Sequence, residues 1–384
     1  MNLHDEPQLA LTRPLRIGID GEALRHPLTG VGRYVFYIGR ALERLLPEAE
    51  FFAYARGPED ELALPSARWR ARIETSEIWR KLSSMAWVKW RSHAFIRHDR
   101  LDAYWAGRAL LPALPPSVTT LSTVHDLNCW VAPETMPIND RWAHLRWLRE
   151  DLHRADHVVA NSNGTANRLQ SLLGVQPRAV AHPGVDAGFA RAPGIDETPL
   201  ADELRRRGLR RPYLVAVATW EPRKNLARLL QAFVGLKRSG QLAGHQLALV
   251  GAHGWGGEAL QALLDDAIDH GVISTGYLPD DCMPALYRGA EALVCPSLYE
   301  GFGMPVAEAL CCGTRVVISD VPELREAAQG QGIVVPPTVE GLSAGIVQAV
   351  ISPRPAVDSC TAPFSWAEAA RRIAPLLAER RTVV

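Results

Sequence analysis

No stretch of this 384-residue chain approaches the roughly 20 consecutive apolar residues that a membrane-spanning helix needs. Its first residues, MNLHDEPQLALTRP, lack a basic start and a long apolar core, so no signal peptide is expected. Neither sign of charge is in excess. The 42 lysines and arginines balance 42 aspartates and glutamates, which gives no reason to expect a nucleic-acid partner. Cysteine is sparse: Cys129, Cys282, Cys295, Cys311, Cys312 and Cys360 form no C-x-x-C pair. Several lie inside apolar runs, as small buried hydrophobes of a reduced protein do, rather than as disulfides or zinc ligands. Together these absences predict a cytoplasmic location. Solenoid repeats and low-complexity tracts are also missing.

What is present is a globular composition, with 47% hydrophobic and 22% charged residues, on a length that suggests two domains. RIGIDG (16–21), FFAYARG (51–57), DAYWAG (102–107), TTLSTVHD (119–126) and HVVANS (157–162) are short apolar runs ending in small or polar residues. Helical stretches lie between them. The pattern restarts after the polar segment 189–208 with PYLVAVATW (212–220), HQLALVGAHG (245–254), GVISTGYL (271–278), EALVCPS (291–297) and TRVVISD (314–320). Short apolar strands alternating with helices predict two α/β domains with doubly wound parallel sheets, which bind ligands at strand C-terminal ends. We place the boundary near 195, giving domains 14–195 and 196–363, with a last helix over 364–380.

The densest signal is PSLYEGFGMPVAEALCCG (296–313). Glu300 follows a strand, and Gly301, Phe302 and Gly303 make a loop. Pro305 suits the first position of a helix and Gly313 its C-terminal cap. Glu308 then lies one turn inside that helix. A helix start offers backbone N–H groups and a positive dipole end to an anion, and the glycines let a ligand approach the backbone closely. A sugar nucleotide needs both features, together with carboxylates for its hydroxyls. A second signal is ATWEPRKNLARLLQAF (218–233), where Arg223 and Lys224 sit at a strand's C-terminal end and can neutralise a diphosphate. Other candidates are TGVGRY (29–34), His125 in STVHDL, Asn161 and Ser162 at the next strand end, GAHGWGGEAL (251–260) and TGYLPDD (275–281). Asp280 and Asp281 in the last of these are read as a helix cap rather than metal ligands.

The spacing of Glu300 and Glu308 resembles the E-x7-E signature of retaining glycosyltransferase family 4. EPRKN resembles that family's donor-phosphate loop, with Ala218 where a glycine is usual. The resemblance implies a GT-B fold, two Rossmann-like domains facing across a cleft, with the C-terminal helix packing back on the first. It implies that Glu300 binds donor sugar hydroxyls and steadies positive charge on the ring, while Glu308 binds the ribose. Arg223, Lys224 and the amides of Gly303, Met304 and Val306 would hold the leaving diphosphate. Gly251, Tyr277 and Leu278 would lie beside the nucleotide, Gly30 and Gly32 near its phosphates, and His125 would face the donor sugar. Arg33 is left open between donor phosphate, acceptor and a surface charge. Asn161 and Ser162 rank as acceptor-side candidates. No Asp-x-Asp triplet occurs, so metal-independent transfer with no cofactor is expected.

The motif set looks most like bacterial mannosyl- and rhamnosyltransferases of polysaccharide assembly. This favours a GDP-hexose donor, mannose first, and a glycan or lipid-linked glycan acceptor. IWRKLSSMAWVKWRSHAFIR (78–97) reads as a basic, tryptophan-rich helix. Either Lys89, Arg91 and their neighbours make peripheral contact with an anionic membrane, or the segment is a core helix with a solvated basic face. The rivals are a sugar-nucleotide epimerase, a glycan phosphorylase, another nucleotide-sugar transferase, and a binding protein without turnover.

Overall fold

The computed structural model describes residues 13–190, 198–252, 254, 257–353 and 364–379. The boundary placed near 195 lies outside them, as do Trp255 and Cys360. The first sheet holds β1 (Arg16–Asp20), β2 (Glu50–Arg56), β3 (Trp69–Glu74), β4 (Ala103–Ala106), β5 (Thr119–Val124), β6 (His157–Ala160) and β7 (Ala179–Val180). Its seven strands are ordered β3-β2-β1-β4-β5-β6-β7, with every pair parallel. The second holds β8 (Tyr213–Val217), β9 (Gln246–Val250), β10 (Val272–Gly276), β11 (Ala292–Cys295), β12 (Arg315–Ser319) and β13 (Ile333–Val335). Its six strands run β10-β9-β8-β11-β12-β13, again all parallel.

Each sheet reverses its strand order once, between β1 and β4 in the first and between β8 and β11 in the second. Such a reversal opens a crevice at the strand C-terminal ends, where doubly wound sheets bind ligands. The central strands β4, β5, β6 and β11 are buried along their whole length. This explains why β4 and β11 read as unbroken apolar runs rather than alternating ones, while the hydroxyls of β5 are buried through hydrogen bonds such as Ser122 to the Ala109 carbonyl. Three strands escape the sequence pattern. WRARIE carries two arginines and a glutamate on edge strand β3, β7 has two residues, and β13 has three.

The helix Trp366–Ala378 lies on the first domain. Ala370, Ile373 and Leu377 are buried in the same core as Ile17, Val35 and Ile38. Trp366 stacks on Tyr37 with ring centroids 5.2 Å apart. Burying Ile373 and Leu377 contributes about 1.5–3 kcal/mol each, enough to hold the chain's return crossing.

One expectation is overturned. Residues 78–97 do not form one helix but three short ones: Glu77–Lys81, Ser84–Trp90 and His93–Ile96. Ser83 caps the second by accepting from the Ala86 N–H, which fixes the break. Trp87 is fully buried. Lys89 binds the buried Asp151 carboxylate at 2.6 Å, and Arg91 binds Glu74 at 2.7 Å. Those two cations are therefore internal partners and do not form an open basic face. Among the described residues, no helix is long and apolar enough to cross a membrane.

Candidate active site

A cleft of about 420 Å³ lies where the reversal points of the two sheets face each other, a size typical of small-molecule sites. From the second domain, the ends of β8 and β9 and the loops after β10 and β11 line it. From the first come the start of the helix Gly30–Leu45 and the ends of β5 and β6.

At its floor sits Glu300, 7% exposed. Lys224 Nζ lies 2.7 and 2.8 Å from its two carboxylate oxygens, Arg223 donates from 3.3 Å, and Ser297 Oγ donates at 2.7 Å. Burial raises the Glu300 pKa, but Lys224 and Arg223 outweigh it and the net shift is downward. Glu300 is thus held as a carboxylate. Arg223 also donates to Glu221 at 2.6 Å and to the Tyr299 carbonyl at 3.1 Å. Burial works against its charge, but Glu300, Asp126 and Glu221 outweigh it and raise its pKa. The loop holding both cations is set by Asn225, which adopts φ 56° and ψ 30° and donates to the Pro296 carbonyl at 2.9 Å. Asparagine is one of the few residues that enters this left-handed region readily.

Gly303, at φ 103°, turns the chain into the helix Met304–Cys311. Pro305 is its second residue rather than its first. Among the described residues the N–H groups of Gly303 and Met304 find no hydrogen-bond partner, whereas that of Val306 donates to the Gly303 carbonyl. Val306 is fully buried and does not line the cleft, so the amides open to an anion are those of Gly303 and Met304. Glu308 does reach the cleft. One oxygen receives Arg33 at 2.8 Å, and the other accepts from the Tyr287 hydroxyl at 3.1 Å. Arg33 is therefore a half-buried ion-pair partner reaching across from the first domain, not a surface charge.

Asp280 and Asp281 do not cap a helix. They lie in a short turn before Met283–Gly289, whose capping residue is Cys282, and neither supplies a cap bond. Asp280 lines the cleft instead, 3.9 Å from Arg33. Tyr277, Leu278, Gly301, Phe302 and Gly30 all line it. Gly251 does too; a Cβ there would sit 2.0 Å from the Ala218 carbonyl oxygen, and its φ is +134°. Glycine at 251 thus makes room beside Ala218. Gly32 packs away from the cleft, its missing Cβ 2.5 Å from the Ala23 carbonyl oxygen.

His125 reaches the cleft wall. Its Nε2 lies 2.8 Å from the Gly107 carbonyl. A carbonyl only accepts, so Nε2 carries the proton and Nδ1 is left as an acceptor. Burial lowers the His125 pKa further than Gly107 and Asp126 raise it, so the ring is neutral near pH 7. Asn161 Oδ1 is buried in the same wall with no partner among the described residues, and a buried acceptor of this kind calls for a donor group. Ser162 does not line the cleft; its hydroxyl donates to the Gly301 carbonyl at 2.6 Å. Sequence reasoning missed Ser297, Glu221 and Tyr287. The first two stand within three residues of a named site residue, but Tyr287 carries no local signal.

Two families match the chain. One, described as Glycosyltransferase Family 4, matches residues 28–189; the other, Glycosyl transferases group 1, matches 211–351. The chain thus carries a family 4 glycosyltransferase domain followed by a glycosyl transferases group 1 domain. It is 29% identical over 345 residues to O-antigen chain mannosyltransferase B of Escherichia coli, covering 86% of this chain and 89% of that protein. It is 35% identical over 189 residues to D-inositol 3-phosphate glycosyltransferase of Salinispora arenicola, but this spans only 46% of the chain and 42% of that protein. Among solved structures, the glycosyltransferase WaaG, involved in lipopolysaccharide biosynthesis, superposes with a TM-score of 0.66 at 16% identity, covering 94% of this chain and 95% of that one. The transferase therefore has the GT-B fold.

Proposed function

We propose that the transferase moves a hexose, mannose first, from a GDP-linked donor to a glycan or lipid-linked glycan acceptor, with retention and without a metal. The observation that carries this is Glu300 gripped by Lys224 and Arg223, beside the open amides of Gly303 and Met304. A donor diphosphate placed there meets two cations and two N–H groups, so no metal is needed to offset its charge. The cations then turn from Glu300 to the phosphates, and Glu300 is released to the sugar hydroxyls. Ribose hydroxyls take the place of Arg33 on Glu308, and Arg33 becomes free for the acceptor.

As the anomeric C–O bond breaks, its electrons go to the diphosphate. The acceptor oxygen forms its new bond on the face the diphosphate leaves, and its proton passes to a phosphate oxygen. Glu300 steadies the positive charge on the ring. His125 Nδ1 and Asn161 Oδ1 accept from sugar or acceptor hydroxyls. The name of the E. coli relative supports mannose and a surface-polysaccharide acceptor, whereas that of the Salinispora relative keeps other donors open.

The test is thermal stabilisation by GDP, UDP, ADP and dTDP, each with EDTA, followed by product analysis with the matching sugar nucleotides. GDP is expected to stabilise most, with transfer of mannose surviving EDTA. A preference for another nucleotide removes the mannose reading; no stabilisation by any removes the transferase mechanism.

A lipid-linked acceptor would bring the protein to an anionic membrane, through a surface other than Lys89 and Arg91. The helix Ile138–Arg154 presents Ile138, Trp142, Arg146 and Arg149 at helical spacing, all exposed. Trp90, 58% exposed, joins it through an edge contact with Trp147, with centroids 5.7 Å apart. Aromatic and basic side chains on one helix face suit a membrane interface. Arg146 also pairs with Glu150 at 3.1 Å. The double variant Trp142→Ala, Arg149→Glu is expected to lose sedimentation with phosphatidylglycerol vesicles and keep transfer to a soluble acceptor. Unchanged sedimentation removes the membrane reading.

A further inference from the structure

Behind the cleft, two carboxylates of the second domain grip one segment of the first. Both lie on the helix Pro322–Ala328. Glu326 accepts from the Asn163 N–H at 2.9 Å, the Asn163 side-chain amide at 2.7 Å and the Gly164 N–H at 3.2 Å. His182 Nε2 lies 2.6 Å from the same carboxylate. One turn back, Glu323 is fully buried and pairs with Arg168 at 2.9 Å. The approach is close enough to require a glycine: a Cβ on Gly164 would lie 2.5 Å from a Glu323 carboxylate oxygen.

The gripped segment directly follows β6, so it carries Asn161 and Ser162. The Ser162 hydroxyl donates to the carbonyl of Gly301, the residue after Glu300, at 2.6 Å. The Leu127 N–H, just past His125, donates to the Tyr299 hydroxyl at 2.8 Å, and the Arg168 guanidinium lies 5.1 Å from the centre of that ring. The grip and the cleft wall are thus linked through a continuous set of contacts.

We propose that Glu326 is a positioning residue: it clamps the two domains together and so fixes His125 and Asn161 against Glu300. Glu326 touches neither cleft nor donor. It acts through Asn163 and Gly164, and its loss lets the acceptor domain move away from an intact donor site. The kinetic part of this inference rests on the transferase reading; the clamp itself does not.

The test uses the full chain with Glu326→Ala and Glu326→Gln. For the alanine variant we expect faster hydrogen exchange at Asn163 and Gly164 and a larger radius of gyration by X-ray scattering, with strand amides still protected. GDP affinity is expected to be unchanged while kcat falls about tenfold, the loss of one good charged hydrogen bond carried into the transition state. Glutamine keeps an accepting oxygen and should recover part of the rate. Loss of affinity and rate together, with no recovery by glutamine, would mean a general structural role and overturn the proposal. Unchanged exchange and unchanged rate would overturn it as well. If the wild type transfers from no donor, but exchange and scattering change as expected, the transferase mechanism fails and the clamp stands.

Discussion

Replacing Glu300 by alanine is expected to lower transfer by about 10²–10³-fold, the usual loss when one preorganised electrostatic contact to a transition state is removed. The same change should destabilise the free protein. Lys224 and Arg223 are half-buried partners of this buried carboxylate, and breaking a buried pair on one side costs about 3–5 kcal/mol. Arg223 retains Glu221, which puts the loss at the lower end. A diphosphate supplies the negative charge that alanine removes. GDP should therefore raise the melting temperature more in the variant than in the wild type, although the variant barely turns over. Acid should expose the pair too. The folded pKa of Glu300 is lowered, so its stabilisation is present above the unfolded value of about 4.3 and is lost as pH falls through the folded one. The alanine variant lacks that loss. Kinetics and melting with and without GDP, across the acid range, check all three outcomes. Normal turnover would remove Glu300 from the mechanism, and a smaller GDP effect in the variant would mean the phosphates bind elsewhere.

Glu300 was legible because its setting is local. A buried strand, two glycines and a proline place it on a strand-to-helix loop whatever the rest of the chain does. Arg223 and Lys224 were legible for the same reason, since Asn225 closes their turn within two residues of them. Most strands were readable because central parallel strands are apolar on both faces. Edge strand β3 was not, because solvent on one side lets it carry Arg70, while Arg72 and the buried Glu74 are paired with Asp99 and Arg91. The segment 78–97 misled because a run of cations looks exposed until its partners are known. Asp151 lies 62 residues beyond Lys89, and no local pattern announces such a pairing. The same holds for Arg33 and Glu308, and for Glu326 and Asn163. Each joins two domains, so each depends on how the domains meet rather than on either domain's own sequence pattern. Fold and donor loops are written in short stretches; closure is written in pairs far apart.

Gly301 is where those two kinds of information meet, and Gly301→Ala is expected to cost about 10²-fold in transfer, the scale of a misplacement near 1 Å. The loop it belongs to is local, but what it touches is not. A Cβ there would lie 1.9 Å from the His125 carbonyl oxygen and 3.3 Å from the Asn161 side-chain nitrogen, both in the other domain. Gly301 is not among the residues with positive φ, so backbone strain is not the cause. The added methyl simply cannot fit while the domains are closed. It should push the His125 and Asn161 wall away from Glu300 and stretch the Ser162 hydrogen bond. The donor site itself, from Lys224 to Glu308, stays within one domain and keeps its shape. GDP should then stabilise the variant as it does the wild type, while kcat falls and the radius of gyration grows. Full activity in Gly301→Ala would mean that the closed contact at His125 is not the arrangement in which transfer occurs. Loss of GDP binding would mean that the loop itself, not the apposition of the domains, had been damaged. Retained binding with lost turnover would separate holding the donor, which one domain does alone, from reacting it, which takes both.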